Sequence, residues 1–401
     1  MMLLTAVLAL AAVALLAPGV SDLLSLAVVA LRPGPRGGPA AVARRAPQRL
    51  LILVPAHNEE LLIEACVRSL LALRYPSTYH TIIVIADNCT DRTAVRAREL
   101  GARCLERGDP ARPGKPRAIA WALERLPVRD YDAVVIVDAD TVVDPEFAAQ
   151  LNASGPLRGS AAQAFFDLSN PDETPITRMA AVLATATHQF AYPLKRHAGL
   201  NVPLVGNGMV LGTDVLWRFG WHAFSICEDW EMYALLTAHG VPIAGVPRAR
   251  LKAQEARSLH QSSTQRQRWT AGKLIVLKTV APRLLRSEHI GTRQKLDAIA
   301  ELMAPGPALH FGVVLLLGAV CVVAGPPAAG ALLISLGASL LRPGAYTALA
   351  LAVDPRPGRA LRAFVFLPVY AVWRIGAAVR ALGALGNAPW VRTERHEIRD
   401  A

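Results

Sequence analysis

Two aspartates stand two residues apart at the end of an apolar segment. Asp138 and Asp140 occur in "VDADT", and residues 133–137 are only alanine, valine and isoleucine. An apolar run of this length predicts a buried strand. Carboxylates that follow a strand are hard oxygen ligands suited to Mg²⁺ or Mn²⁺, ions that also bind diphosphates. The pair therefore predicts a site for one of these divalent metals.

Acid-rich segments also follow two other predicted strands. Residues 50–54 run into "PAHNEE", which contains Glu59, and residues 81–86 run into "ADNCTD", which contains Asp87 and Asp91. In open parallel sheets, ligands bind outside the carboxyl ends of the strands. Asp and Asn are also common helix caps and turn formers, and we interpret Asp91 as such a cap. The three loops together predict a binding site at one edge of a sheet.

Two glycine-containing segments are further candidates for ligand binding. Lys115 in "PGKPRA" is placed to bind phosphate or, equally well, to end a plain turn before a helix. Gly206, Asn207 and Gly208 interrupt an apolar run, where glycine permits close backbone approach to a ligand. A simple turn explains the same pattern.

Two later segments combine acids or arginines with aromatic residues. Glu228 and Asp229 open a predicted helix in "CEDWEMYALL", where the helix dipole stabilises acids and where a carboxylate can also serve as a general base. "QRQRW" at residues 265–269 lies before a long apolar stretch. It fits a basic segment with an interfacial tryptophan, or a site for an anion and a ring.

Helical patterns separate the predicted strands. Residues 61–73, 91–101 and 115–126 have the apolar spacing or end signals of helices. Strands that alternate with helices indicate an α/β fold with a mostly parallel sheet. Neither a P-loop nor a G-x-G-x-x-G motif occurs, which argues against P-loop NTPases and classical dinucleotide enzymes.

The first apolar stretch, residues 3–31, is long enough to span a bilayer. A cleaved signal peptide is the alternative, but no basic region precedes the stretch and it exceeds an ordinary signal core, so we expect an anchor. Arginines follow it at once: Arg32, Arg36, Arg44, Arg45 and Arg49. The positive-inside rule then places the next domain in the cytoplasm of a cell whose plasma membrane holds the protein.

The C-terminal part of the chain contains three more candidate spans. They lie at residues 302–325, 328–353 and 361–385. Arg342 weakens the second span, and Arg374 and Arg380 weaken the third, which also fits an interfacial helix. The expected domains are an anchor (1–32), a cytoplasmic catalytic domain (50–300) and C-terminal transmembrane or interfacial helices (302–386).

Composition agrees with a mixed soluble and membrane architecture. Hydrophobic residues make up 53% of the 401 residues and charged residues 18%, with a formal net charge of +12. An anionic membrane surface and nucleotide phosphates explain the positive charge better than nucleic acid, for which no motif is present. The five cysteines are scattered without a CxxC pair, which indicates neither a disulfide framework nor a zinc site.

The motifs taken in order resemble those of membrane-anchored inverting family 2 glycosyltransferases. "PAHNE", "ADNCTD", "DAD", "GNGM", "ED" and "QRQRW" cover roughly residues 50–275. Relatives of this kind include cellulose, hyaluronan and chitin-type synthases, and bacterial and ceramide-type glucosyltransferases. The resemblance implies a GT-A fold, which is Rossmann-like and binds nucleotide sugars, and a donor that is most often a UDP-sugar.

The resemblance also implies roles for individual residues. Asp229 would be the general base beside Glu228, and Arg268 would stabilise the leaving diphosphate. Asp138 would lie by the donor, and Asp140 would hold the metal with it. The expected substrate-binding residues are Glu59, Asp87 (at the base), Lys115, Asp138, Gly206, Asn207, Gly208, Gln265 and Trp269.

The expected reaction moves a sugar to a growing polysaccharide or oligosaccharide at the membrane and forms a β-linkage. Transfer of one sugar to a membrane lipid is the alternative. A non-catalytic sensor would lack catalytic acids, and a transporter would carry paired charges or repeats in its apolar segments. The expected partners are a nucleotide-sugar donor, a saccharide or lipid acceptor and membrane lipid, without nucleic acid; an export partner is left open.

Overall fold

The computed structural model describes residues 1–31 and 46–383, which form two compact units. The sheet unit contains residues 46–170 and 201–254. The helical unit contains residues 1–31, 171–200 and 255–383. The arginines at positions 32, 36, 44 and 45 and the end of the last predicted span lie outside the described residues.

Within the described residues one sheet contains eight strands. They are β1 (Leu50–Ala56), β2 (His80–Asp87), β3 (Arg103–Arg107), β4 (Ala133–Ile136), β5 (Thr141–Val143), β6 (Ala161–Leu168), β7 (Met209–Gly212) and β8 (Ile243–Ala253). Their spatial order is β3-β2-β1-β4-β7-β6-β8-β5.

The sheet is mixed, whereas the sequence predicted a mostly parallel one. Strands β1 to β4 pair in parallel, as do β6 and β8. Strand β7 runs antiparallel to β4 and β6, and β5 runs antiparallel to β8. The βα alternation that suggests a parallel sheet is confined to the first half of the unit. The short strands β5 and β7 carry too few residues to show a clear pattern.

Seventeen α-helices occur within the described residues. They are α1 (Met2–Leu31), α2 (Ile63–Leu71), α3 (Thr93–Glu99), α4 (Lys115–Leu123), α5 (Phe147–Ala153), α6 (Pro175–Thr185), α7 (Tyr192–His197), α8 (Thr213–Phe219), α9 (Glu228–Ala238), α10 (Leu259–Thr279), α11 (Ala281–Arg286), α12 (Thr292–Met303), α13 (Pro307–Ala324), α14 (Ala329–Ser339), α15 (Leu341–Ala352), α16 (Pro357–Ala363) and α17 (Leu367–Gly383).

Strand β1 lies at the centre of the parallel half of the sheet, and all seven of its residues are buried. The sequence predicted that Pro55 ends this strand, but the strand continues through it to Ala56. Leu53 accepts a hydrogen bond from Val137 of the β4 side, so Pro55, two residues on, faces the same side. The ladder with β4 has ended there, and the missing N–H of proline therefore removes no ladder bond.

The helix after β2 begins close to the position that the sequence predicted. The Asp91 carboxylate accepts hydrogen bonds from the backbone N–H of Thr93, at 2.9 Å, and from its hydroxyl, at 2.5 Å. The second carboxylate oxygen accepts from the Glu60 N–H of the preceding loop, at 3.1 Å. Asp91 therefore stabilises the turn that leads into α3, although the N-cap position itself is occupied by Arg92, one residue later than predicted.

Four helical segments of the described chain are long and apolar enough to cross a membrane. They are Met2–Leu31, Pro307–Ala324, Ala329–Ala352 and Pro357–Gly383. Charges within them are partly compensated inside the helical unit: Arg342, which weakened the second C-terminal span, pairs with Asp22 of α1 at 2.7 Å and with Glu301 at 2.9 Å. Paired charges cost less to bury than isolated ones.

Residues 171–200 and 255–300 pack with the apolar helices rather than with the sheet. Lys195 of α7 is 1% exposed and pairs with Asp297 of α12 and, at 3.2 Å, with Glu301. These ion pairs join residues 171–200 to the rest of the helical unit. The compact units therefore differ from the linear boundaries 50–300 and 302–386 that the sequence suggested.

Candidate active site

Lys115 connects four segments that are far apart in the sequence of the sheet unit. At the start of α4, its Nζ donates hydrogen bonds to Asp138 Oδ1, at 2.6 Å, and to the Gly206 carbonyl, at 2.7 Å. The Glu228 carboxylate lies 3.6 Å from the same nitrogen. The sequence left two roles open for Lys115, phosphate binding and a plain turn. In the structure this lysine lies among the predicted acidic residues.

The surrounding carboxylates keep Lys115 charged. Burial by itself lowers the pKa of an ammonium group, but Asp138 and Glu228 outweigh that effect and raise the pKa of Lys115 above its ordinary value. A fixed cation at this position holds the "DAD" loop, the "GNG" loop and the start of α9 together.

Asp229 lies beside this cation at the start of α9. A Cβ built on Gly206 would lie 3.2 Å from Asp229 Oδ2, so the glycine loop packs directly against the carboxylate. Burial, and next the charge of Glu228, raise the pKa of Asp229 to about 7, although the Trp230 N–H donates to it at 2.8 Å. A carboxylate with this pKa is suited to accept a proton near neutral pH.

Asn207 and Gly208 shape the loop from inside the protein. The Asn207 side chain accepts from the Asp138 N–H at 3.2 Å and donates to the Thr141 hydroxyl at 2.7 Å, and the residue is 4% exposed. Gly208 has φ +72°, and a Cβ there would lie 2.5 Å from Leu251. Both residues therefore position the loop, and direct contact of either with a substrate stays a prediction.

Asp87 lies at the end of β2, where protein groups surround it. It forms a buried ion pair with Arg107 at the end of β3 and accepts from the Gly114 N–H at 3.1 Å. Arg107 also pairs with Asp109 at 2.9 Å. Arg107 was not among the predicted site residues; its place at the end of the strand beside β2 becomes visible only once the sheet order is known.

Glu59 lies in the loop after β1, at the same edge of the sheet as Asp87. Its backbone N–H donates a hydrogen bond to the Thr93 hydroxyl at 2.8 Å. His57 Nδ1 lies 2.7 Å from the Asp87 carbonyl. These bonds join the first and second loops, which confirms the prediction that the strand ends bring them together.

The donor set of the predicted metal site fits Mg²⁺ or Mn²⁺. Asp138 and Asp140 are the predicted oxygen ligands, and the Asp138 side chain is 35% exposed. No group of three or more metal-ligating side chains occurs within residues 1–31 and 46–383. Mg²⁺ commonly binds through one or two carboxylates, substrate phosphates and water, so two acids suffice.

The "QRQRW" residues lie in α10 of the helical unit. Arg268 Nε is buried and has no hydrogen-bond partner within the described part of the chain, and Trp269 is 38% exposed. Arg266 pairs with Glu255 at 2.9 Å, and its guanidinium lies 4.6 Å from the centre of the Trp269 ring. Arg266 therefore orients Trp269, a role that the sequence analysis missed.

Comparison with known sequences identifies the family. The family described as glycosyltransferase like family 2 matches residues 47–272, more than half of the chain. The chain belongs to glycosyltransferase family 2. This confirms the family-level resemblance and the assignment of the protein as a transferase.

Relatives of this family 2 glycosyltransferase differ in what their names describe. A probable glycosyltransferase, YdaM, of Bacillus subtilis is 25% identical over 246 residues, covering 58% of this chain and 57% of its own. Glucomannan 4-beta-mannosyltransferase 7 of Arabidopsis thaliana is 22% identical over 268 residues, covering 61% of this chain and 46% of its own. The chain spans about half the length of the curated relatives it matches.

A solved structure has a similar fold. The mannosyltransferase PcManGT from Pyrobaculum calidifontis, in complex with GDP-Man and Mn²⁺, superposes with a TM-score of 0.60 at 18% identity. The match covers 95% of this chain and 98% of that one. Together with the mixed sheet, this likeness confirms the predicted GT-A fold.

Proposed function

We propose that this family 2 enzyme transfers a sugar, with inversion, from a nucleotide-sugar donor to an acceptor hydroxyl at a membrane. The observation that carries the proposal is the Asp229 carboxylate, whose pKa burial and Glu228 raise to about 7, beside the Lys115–Asp138 pair. By the family resemblance the donor is a UDP-sugar and the acceptor a growing polysaccharide or oligosaccharide.

The chemical step is a direct displacement. Asp229 removes the proton from the acceptor hydroxyl, and that oxygen attacks the anomeric carbon opposite the nucleoside diphosphate. The bond from the anomeric carbon to the diphosphate breaks, and the diphosphate leaves with the bonding electrons. Because attack is opposite the leaving group, an α-linked donor gives a β-linked product.

Other residues of the chain bind and orient the reactants. Lys115 fixes Asp138 and the Gly206 loop, which sets the position of Asp229. Arg268, whose Nε has no partner in the described residues, is assigned to the diphosphate, since a guanidinium binds phosphate oxygens in pairs. Gln265 and Trp269 are assigned to substrate binding, Trp269 through its exposed ring face.

Asp87 is assigned to the base of the nucleotide and Glu59 to the same donor pocket, at the sheet edge where their loops meet. Asp138 and Asp140 would hold Mg²⁺ or Mn²⁺, which when bound neutralises charge on the diphosphate.

Four apolar helical segments support a place in the plasma membrane, and the arginines after residue 31 support a cytoplasmic catalytic unit. Four candidate spans also favour a second candidate function, the transfer of one sugar to a membrane lipid. The two functions share the chemistry of Asp229 and differ in the acceptor.

Purified protein incubated with a panel of nucleotide sugars and membrane lipid tests the proposal. One donor should release its nucleoside diphosphate and label a product, whose size separates a polymer from a glycolipid. Asp229→Asn keeps the side chain's size but cannot accept the proton, so turnover should fall at least about a hundredfold with donor binding kept. Near-normal turnover in a variant that still binds donor would contradict the mechanism.

A further inference from the structure

Arg374 of α17 is a buried cation for which the described residues provide no carboxylate partner. It is 8% exposed, and its Nη1 is buried with no hydrogen-bond partner among the described residues. The ion pairs within the described residues also leave Arg374 out, although Arg342 in another apolar helix pairs with two carboxylates. An unpaired charge that is removed from water destabilises the fold unless an opposite charge binds it.

The packing of α17 shows which way Arg374 faces. Ala371 and Ile375 face α13, because a Cβ on Gly312 would lie 2.9 Å from the Ala371 carbonyl and 3.1 Å from the Ile375 side chain. Tyr370 and Arg374 lie one turn apart on the neighbouring buried stripe. α17 also packs against α10, and Tyr370 of this second stripe lies in one hydrophobic cluster with Leu259 of α10.

The α10 side brings a second guanidinium close to this stripe. The guanidinium of Arg266 lies near Glu255 and Tyr370; burial lowers its pKa, but these two neighbours keep that pKa above the ordinary value. Its carboxylate partner is Glu255, at 2.9 Å. Arg266 thus has a carboxylate partner in this part of the helical unit, whereas Arg374 has none among the described residues, which leaves an excess positive charge between α10 and α17.

The outer face of α17 indicates where an anion would come from. Val369, Val372 and Val379 are 55%, 68% and 61% exposed, and the segment that contains them is one of the four candidate spans. A molecule that binds beside such a helix is therefore expected to be apolar over most of its own length, as a lipid is. Guanidinium groups bind phosphate oxygens in a planar fork, and the Tyr370 hydroxyl can donate a further bond.

We propose that Arg374, with Arg266 and Tyr370, binds a phosphate group between α10 and α17, and that this phosphate belongs to a lipid. Free inorganic phosphate shares the same chemistry and is separated from the lipid by experiment. The site goes beyond the proposed transfer reaction, since it requires neither a donor sugar nor turnover.

Thermal unfolding of the full chain in nonionic detergent and phosphate-free buffer tests the site. Dioctanoyl phosphatidic acid, at about a hundred times its Kd, should raise the Tm of the unmodified protein by about 3 °C. Dioctanoyl phosphatidylcholine and inorganic phosphate are added in parallel. An equal shift with inorganic phosphate supports the phosphate site and overturns the lipid source.

Arg374→Met and a control variant distinguish binding at this site from nonspecific attraction of an anionic lipid to a positively charged protein. Arg374→Met should lose the shift, whereas Arg380→Met, an exposed arginine of the same helix, should keep it. Without ligand, Arg374→Met should have a Tm equal to or above that of the unmodified protein, because an unpaired buried charge has been removed. Arg374→Gln gives the same comparison if the methionine variant does not fold.

Two results would overturn the proposal. One is the absence of any shift with phosphatidic acid or phosphate, and the other is an equal shift in the Arg374 variants. A lower Tm of Arg374→Met in the absence of ligand would also count against it, since it would mean that a protein group already compensates the charge. None of these readouts depends on sugar transfer, so they are distinct from failure of the proposed function.

Discussion

At the scale of single residues, the proposed reaction depends on how the protein tunes Asp229. Burial and the neighbouring charge of Glu228 act in the same direction, while Lys115 opposes them. The result is a carboxyl group with a pKa of about 7. At pH 7 it is half ionised, whereas an ordinary aspartate is almost fully ionised. Such a base is stronger than an ordinary carboxylate and still available at neutral pH.

This pKa predicts the pH dependence of catalysis. Below about pH 7 Asp229 is protonated and cannot accept the hydroxyl proton, so kcat/KM should rise as the pH increases through 7. Glu228→Gln removes the neighbouring negative charge, lowers the pKa of Asp229 and should move this rise to lower pH. Profiles of kcat/KM against pH for both proteins provide the measurement. An identical midpoint in the variant would rule out Glu228 as a cause.

The paired acids predict a metal requirement. Asp138 and Asp140 offer hard oxygen ligands but too few of them to hold a divalent ion tightly without substrate phosphates. Chelation should therefore abolish turnover, and added Mg²⁺ or Mn²⁺ should restore it in a sugar-transfer assay. Asp140→Asn should need a higher metal concentration for half-maximal activity. Full turnover after exhaustive chelation would exclude a metal role for these acids.

At the scale of secondary-structure elements, the "GNG" loop shows how backbone geometry serves the site. Gly206 turns with φ +83° against Asp229, and Gly208 turns with φ +72° against β6 and β8. Asn207 between them holds the Asp138 N–H. The loop therefore packs on the sheet core on one side and, on the other, fixes the proposed base Asp229 and the proposed metal ligand Asp138.

Gly208→Ala tests this dependence. A Cβ there would lie 2.5 Å from Leu251 and 2.9 Å from Ala164, in a backbone conformation that alanine disfavours. Strain and overpacking together should lower the free energy of unfolding by about 2–5 kcal/mol. Gly159→Ala, where no atom lies within 4 Å of the added Cβ, should change it by less than about 1 kcal/mol. Denaturant unfolding of both variants gives the comparison, and equal stabilities would contradict the packing argument.

At the scale of the whole molecule, the chain combines a sheet unit with a unit of apolar helices. Sequence segments alternate between the two units, because residues 171–200 and 255–279 pack with the apolar helices. Buried ion pairs such as Lys195–Asp297 stabilise that arrangement within the helical unit. The "QRQRW" motif consequently belongs to the helical unit, although it lies within the family 2 match.

The proposed topology predicts which cysteines react from outside the cell. With the sheet unit in the cytoplasm, a membrane-impermeant maleimide should leave Cys89 and Cys104 unmodified in intact cells and label them after permeabilisation. Both are only partly buried, whereas Cys66, Cys227 and Cys321 are buried. Pro327→Cys, in the exposed turn between α13 and α14, should be labelled in intact cells. The opposite pattern would reverse the orientation.

Local patterns in the sequence were enough to predict many parts of the fold. The apolar runs of β1, β2 and β4 lie where they were expected, because a buried strand needs apolar residues on both faces. The acidic start of α9 and the hydrogen bond of Asp91 to the start of α3 were equally local. The order of the motifs identified family and fold class without any knowledge of contacts.

Only the tertiary structure showed how those parts meet. Lys115 joins Asp138, Gly206 and Glu228 across separations of 23 to 113 residues, and Asp87 meets Arg107 through the pairing of β2 with β3. The antiparallel strands β5 and β7 and the membership of α10 in the helical unit were also invisible beforehand. Periodicity records whether a residue is buried, but not which distant residue covers it. Those partners depend on sheet order and register, which the whole chain decides together.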